Sequence, residues 1–143
     1  MRYYLDTNIL IFTLFSEDKT ENLSRDVMDI LSDYENLFYT NTVCIRELLH
    51  LYKSDHVDIK KSKVKNALKI IEAVLDANIK IIPVTEAHLN TYAVMEIPYG
   101  NHNDPNDHII IAQSICDRIP VITSDSKFKL YENQGLKMVL NKR

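Results

Sequence analysis

Residues 3–11, Tyr3-Tyr4-Leu5-Asp6-Thr7-Asn8-Ile9-Leu10-Ile11, run from an apolar strand through an acidic corner into a helix. Thr7 or Asn8 can cap that helix, which Ile9, Leu10, Ile11, Phe12 and Phe15 carry forward. The same grammar returns near the other end, where Val121-Ile122-Thr123 follows Pro120 and gives way to Ser124-Asp125. An acid just past a strand sits at the carboxyl edge of a sheet, where open α/β sheets bind their ligands.

Working outward, Ser24 opens a helix with Val27, Ile30, Leu31 and Tyr34 at helical spacing. Leu37–Thr40 reads as a strand, and Thr42 starts a helix running to about Tyr52. Lys53 to Lys61 is polar and reads as a loop, followed by a long helix with Val64, Leu68, Ile71 and Leu75 on one face. Ile79 to Val84 is a strand containing Pro83, so it ends there or lies at an edge. Thr85 caps a helix to roughly Glu96, and Ile97 to Asn103 is a loop punctuated by Pro98 and Gly100. Asp104 then reads as an N-cap with Pro105 at the first helical position. That helix runs to about Asp117. Its stripe of Ile109, Ala112, Ile115 and Cys116, widened by Ile110 and Ile111, predicts deep burial. A short helix over Lys127–Tyr131 and a strand over Lys137–Leu140 close the chain. Strands alternating with helices predict an α/β fold, a parallel sheet with helices on both faces.

The chain has 143 residues, enough for one domain, 1–143, with a sizeable core. Its two glycines leave no Walker A loop and no dinucleotide-binding fingerprint. Cys44 and Cys116 lie in apolar helical stretches and read as small buried hydrophobes, not as a disulfide or zinc framework. No apolar segment reads as a signal peptide or membrane span, so the expectation is a cytoplasmic protein. Net charge is −3, an excess that four carboxylates at one site would account for. Lys60, Lys61, Lys63, Lys65 and Lys69, and the pair Lys127 and Lys129, read as solvated faces.

The acids that matter are Asp6, Glu47, Asp107 and Asp125. Asp6 is either the cap of its own turn or, with Thr7 and Asn8 available to cap, a free ligand. Glu47 sits mid-helix with Val43, Cys44 and Leu51 beside it, so its face turns toward the core or a cleft. A buried carboxylate there needs a partner such as a metal ion. Asp104 and Asp107 resemble a capping box, and the helix dipole favours an ionised Asp107. Asp125 is a cap for the helix after it or a ligand, and Thr123 can bond a water or a neighbouring carboxylate. Several carboxylates without a cationic partner repel one another, and a divalent metal relieves that. The five histidines form no zinc motif; His102 and His108, which bracket the Asp104–Asp107 turn, read as surface residues, with contact to a phosphate as the alternative.

Taken together, Leu-Asp-Thr-Asn at 5–8, Arg-Glu-Leu-Leu at 46–49, Asp-Pro-Asn-Asp-His-Ile-Ile-Ile-Ala-Gln at 104–113 and Val-Ile-Thr-Ser-Asp at 121–125 resemble the PIN-domain ribonucleases, and among them the VapC-type toxins of toxin–antitoxin pairs. The resemblance covers nearly the whole chain. It implies a three-layer α/β/α sandwich with a four- or five-stranded parallel sheet. It also implies Mg²⁺- or Mn²⁺-dependent endoribonuclease activity on RNA, frequent homodimers, and a small antitoxin partner that blocks the site. Carried over by motif, the acidic quartet is Asp6, Glu47, Asp107 and Asp125. Asp6, Asp107, Asp125 and Asp104 are the metal candidates, for one or two ions, with Thr123 and Asn8 in support. One motif departs from the family's common Asp-Pro-Phe-Asp-Arg: this chain has Asn106 for the Phe and His108 for the Arg. The competing readings are a DNA or flap nuclease, a PIN-like module that binds metal or RNA without cutting, and a phosphoacceptor domain with Lys127 as its lysine.

Overall fold

The computed structural model of the protein describes residues 1–16, 18–56, 59, 64–98 and 102–142. Five strands form one sheet within them: β1 (Arg2–Leu5), β2 (Leu37–Asn41), β3 (Ile79–Ile82), β4 (Val121–Thr123) and β5 (Met138–Leu140). They lie in the order β3-β2-β1-β4-β5, and every neighbouring pair is parallel. The helices are α1 (Thr7–Leu14), α2 (Lys19–Asn22), α3 (Arg25–Ser32), α4 (Thr42–Lys53), α5 (Ala67–Asp76), α6 (Glu86–Val94) and α7 (Pro105–Asp117), with a 3₁₀ segment at Ser126–Gln134. From β1 the chain steps through β2 to β3 on one side, then crosses back to β4 and β5 on the other. Right-handed crossovers in opposite directions place their helices on opposite faces. Accordingly, α1, α4 and α5 contact one another, while α6 packs on α7 and α7 on the 3₁₀ segment. This is the expected α/β/α sandwich, with five strands.

The central strands β1 and β4 are the most deeply buried. Tyr4, Leu5, Val121, Ile122 and Thr123 are all nearly inaccessible. A strand covered on both faces reads as a continuous apolar run, which is how Tyr3-Tyr4-Leu5 and Val121-Ile122 read. β3 is an edge strand and stops before Pro83, as the missing proline N–H requires.

Several sequence expectations shift. The helix expected to carry Val64, Leu68, Ile71 and Leu75 on its inner face begins only at Ala67, because the Asn66 side chain accepts the Lys69 N–H and caps it there. Ile70 and Val74 are its buried pair, and Leu68 (72% exposed) and Leu75 (52%) face solvent. The apolar residues around this helix permit two stripes, and the one carrying Ile70 and Val74 turns inward. Tyr34 is fully exposed beyond the end of α3, which Asp33 closes in an extended conformation. α2 has no counterpart in the sequence reading, and α6 ends at Val94 rather than near Glu96. Of the expected loop at 53–61, residues 57, 58, 60 and 61 lie outside the described residues, as do Lys60, Lys61 and Lys63 of the lysine group. Lys65, Lys69, Lys127 and Lys129 are exposed. Cys44 is buried and Cys116 partly so; burial pushes the Cys44 thiol up to about 12, leaving it an unreactive hydrophobe. Among the described residues no helix is long and apolar enough to cross a membrane.

A polar tie locks α6 to α7. His88 Nδ1 accepts the Thr85 N–H at 3.0 Å, so its Nε2–H donates to both oxygens of Asp117, at 2.9 and 3.0 Å. The Tyr4 hydroxyl donates to the same carboxylate at 2.5 Å. His88, Cys116 and Asp117 also fall within metal-binding distance of one another. The Thr85 bond removes the lone pair such an ion would need, because a ring accepting on Nδ1 carries its proton on Nε2. The role is therefore structural. His88→Ala should cost about 2–4 kcal/mol in urea denaturation, since it orphans a backbone N–H and leaves the half-buried Asp117 carboxylate with Tyr4 alone of its two partners. Metal uptake should be unchanged.

Candidate active site

Each acid is delivered to one sheet edge by a different element. Asp6 ends β1 and is itself the N-cap of α1: its Oδ1 accepts the Thr7 N–H at 2.8 Å. The expectation that Thr7 or Asn8 would cap instead is corrected here. Capping occupies only one oxygen, however, and Oδ2 accepts the Thr123 hydroxyl at 2.8 Å. Thr123 thus bonds a neighbouring carboxylate, as its position suggested, and links β1 to β4 across the site. Asp6 is only 6% exposed.

Glu47 reaches the same corner from α4, half-buried. Its Oε2 accepts the Thr7 hydroxyl at 3.0 Å, so Thr7, released from capping, positions the glutamate. Asn41 caps α4 by accepting the Cys44 N–H at 2.7 Å and ties into α7 by donating to the buried Gln113 at 2.9 Å. That interior bond sets α4 and α7, and with them Glu47 and Asp107, at a fixed spacing.

Asp104 caps α7 by accepting the Asn106 N–H at 2.9 Å and is exposed at the border of the cluster. No reciprocal capping box forms, because the Asp107 carboxylate turns inward. Asp125 caps the 3₁₀ segment through Oδ1, which accepts the Lys127 N–H at 2.9 Å. Its own N–H donates to Thr123 Oγ1 at 3.1 Å. Ser124 beside it accepts a bond from the buried Asn141 side chain, which also holds the Ser24 N–H and the Asn22 carbonyl. Asn8 is exposed in the first turn of α1.

The two histidines expected at the surface are buried: His102 is 3% and His108 5% exposed. His102 Nε2 lies 3.0 Å from Asp107 Oδ2 and 4.0 Å from Asp125 Oδ2. Apolar cover explains the correction, since Phe128 and Tyr131 of the 3₁₀ segment pack their rings on His102. Sequence spacing alone does not reveal that this segment folds back over the Asp104 turn. The two departures from the family motif have partners as well. Asn106 accepts a bond from Arg46 of α4 at 2.6 Å, and His108 donates to the His102 carbonyl at 2.9 Å.

The electrostatics show that the acids feel one another. Burial first, then the Asp107 charge, pushes Asp6 up to about 7, against which the Thr123 and Thr7 bonds pull. Burial, then the charges of Asp104, Asp125 and Glu47, pushes Asp107 up to about 7 as well. Burial raises Glu47, with the Thr7 bond opposing. Among the described residues no lysine or arginine comes within 4.0 Å of any of the four. Ligand atoms of His102, Asp107 and Asp125 lie within 4.8 Å of one another. Buried, mutually repelling carboxylates are the oxygen donors that a hard divalent cation takes, so the residues fit one.

A profile of the PIN domain matches residues 3–133. The chain belongs to the PIN domain family. Solved structures of similar fold include toxin–antitoxin proteins. A chain of VapBC2 from Rickettsia felis, bound to a DNA fragment from its promoter, is 16% identical with a TM-score of 0.71, covering 98% of each chain. One of VapBC-1 from nontypeable Haemophilus influenzae is 18% identical, TM-score 0.68, with full coverage of both. One of VapBC-5 from Mycobacterium tuberculosis is 23% identical, TM-score 0.65, covering 97% of this chain and 98% of that one. At these identities the likeness concerns the fold. No curated protein matches this PIN domain by sequence.

Proposed function

We propose that this PIN domain is a metal-dependent endoribonuclease, the toxin member of a toxin–antitoxin pair. The observation carrying the proposal is the gathering of Asp6, Glu47, Asp107 and Asp125 at one sheet edge with, among the described residues, no lysine or arginine within 4.0 Å of them. Asp6, Asp107 and Asp125 would hold one or two Mg²⁺ or Mn²⁺ ions, with Glu47 completing the set and Asp104 at its border. When bound, such an ion acidifies water and offsets negative charge on a phosphodiester.

The chain's own groups prepare the site. Thr123 and the Thr7 N–H hold the Asp6 carboxylate from both sides, and the Thr7 hydroxyl holds Glu47. The acids are thus oriented before a ligand arrives, which lowers the cost of binding one. Without a cation the same acids repel phosphate, so the backbone of RNA is admitted only to the loaded site. An open acidic edge suits unpaired RNA, whose splayed strand can enter where a duplex cannot. The toxin reading is supported by the fold shared with VapBC proteins. It implies a small protein antitoxin that covers this edge, and a homodimer as the working unit.

The test is cleavage of single-stranded RNA, hairpin RNA and DNA oligonucleotides of matched sequence with Mg²⁺ or Mn²⁺. RNA should be cut within unpaired segments, and chelation should stop the reaction. Preferential cutting of DNA would overturn the substrate assignment, and metal uptake without cleavage of any RNA would make the domain a binding module. Glu47→Gln, which keeps the Thr7 bond but lowers the charge, should slow RNA cleavage by about 10–100-fold.

A further inference from the structure

The geometry points to His102 as a positioning residue that sets the direction of the Asp107 carboxylate, an inference that rests on the function proposed above. His102 belongs to no part of the acidic quartet, yet its side chain is only 2% exposed and reaches two of the four acids. Its tautomer follows from its neighbours. Nε2 faces Asp107 at 3.0 Å, and in the ionised form that would hold a cation this carboxylate only accepts, so Nε2 carries the proton. Nδ1 then accepts the Tyr131 hydroxyl at 2.8 Å. The backbone of His102 is pinned as well: its carbonyl accepts His108 Nε2–H at 2.9 Å, and His108 Nδ1 takes the Tyr92 hydroxyl at 3.3 Å.

Two tyrosines and two histidines therefore form a set in which every donor meets an acceptor. Its output is one N–H aimed at Asp107 Oδ2. That bond commits one oxygen and leaves Oδ1 of Asp107 for a cation. It sits beside Asp125 too, whose Oδ2 is 4.0 Å from the same nitrogen. A histidine donating to a metal-binding carboxylate orients it, and loss of such a partner costs about 10–100-fold in metal affinity. The competing role is direct coordination by His102, which lies close enough to Asp107 and Asp125 to share an ion with them. Direct coordination requires the opposite tautomer, with the proton on Nδ1 toward Tyr131 and Nε2 bare.

The experiment uses the full chain. Two-bond ¹H–¹⁵N spectra of the metal-free protein at pH 8 or above, where Asp107 is ionised, should show His102 as the Nε2–H tautomer; an Nδ1–H tautomer there overturns the inference. Mn²⁺ titration should show affinity at least tenfold weaker in a folded His102→Phe variant. His102→Gln, which keeps a donor near Asp107, should recover part of the loss, and Tyr131→Phe should weaken binding in the same direction by less. Unchanged affinity in folded His102→Phe, or a directly coordinated ¹⁴N in pulsed EPR of the Mn²⁺-loaded wild type, would refute the positioning role. A wild type that takes up no Mn²⁺ would strike the proposed function instead, and the tautomer spectra would still decide for His102.

Discussion

Asp6→Asn should lower RNA cleavage by more than a hundredfold and, in the metal-free protein at pH 8, raise the melting temperature. The two effects have one cause. Asp6 is held between the Thr7 N–H and the Thr123 hydroxyl, buried, with the Asp107 charge against it. Losing a partner that merely orients a ligand costs about 10–100-fold in metal affinity or activity, and losing a ligand itself costs more. Stability moves the other way because the folded state no longer carries that charge. Raising Asp6 from 3.8 to about 7 corresponds to roughly 4 kcal/mol at most. Asn recovers only part of this, since its NH₂ must avoid one of the two donors that the carboxylate satisfied, which the rotatable Thr123 hydroxyl permits. A variant that cuts RNA at the wild-type rate would remove Asp6 from the chemistry. A variant that melts lower at pH 8 would show that the carboxylate's hydrogen bonds outweigh its repulsion.

The second large effect is the pH dependence of the metal-free protein, which should be more stable at pH 5 than at pH 8. Asp6 and Asp107 both sit at about 7 when folded, against an ordinary value of 3.8. Between about pH 4 and pH 7 the unfolded chain has released protons that the folded chain keeps. The folded state binds more protons there, so stability falls as pH rises through that window and levels above it. The two acids raise each other, so their contributions do not simply add. A net of a few kcal/mol corresponds to roughly 10 °C in a domain of this size. Mn²⁺ should offset the trend. It binds the deprotonated acids, and at a hundredfold excess over its Kd it contributes about 2.7 kcal/mol. Thermal melts at pH 5 and pH 8, with and without Mn²⁺, measure all four corners. Equal melting temperatures at the two pH values without metal would mean that the acids do not share a site.

Much of this was legible in residue order. β1 and β4 are short apolar runs because they are covered on both faces, and that coverage puts Asp6 and Asp125 just past their ends. Pro105 after Asp104 announces a helix start, and α7 begins there. What could not be read depends on contacts between distant segments. Whether Asp6 caps α1 or stays free depends on Thr7, whose hydroxyl is claimed by Glu47 forty residues on. His102 reads as exposed because its sequence neighbours are polar, and only the return of Phe128 and Tyr131 over the Asp104 turn buries it. The rotated face of α5 is a third case: its apolar residues permit two stripes, and packing against α1 and α4 rather than local spacing decides between them.

The bond from Thr123 to Asp6 joins residues 117 apart. On the ribosome, a partly made chain that stops before residue 104 holds Asp6 and Glu47 but neither Asp107 nor Asp125. Its β1 has β2 on one side but still lacks β4 on the other. The proposed site therefore comes together only when the chain through Asp125 has been made and β4 has slotted in next to the first strand. Under the function proposed above, the domain in this way cuts no RNA until that strand is in place.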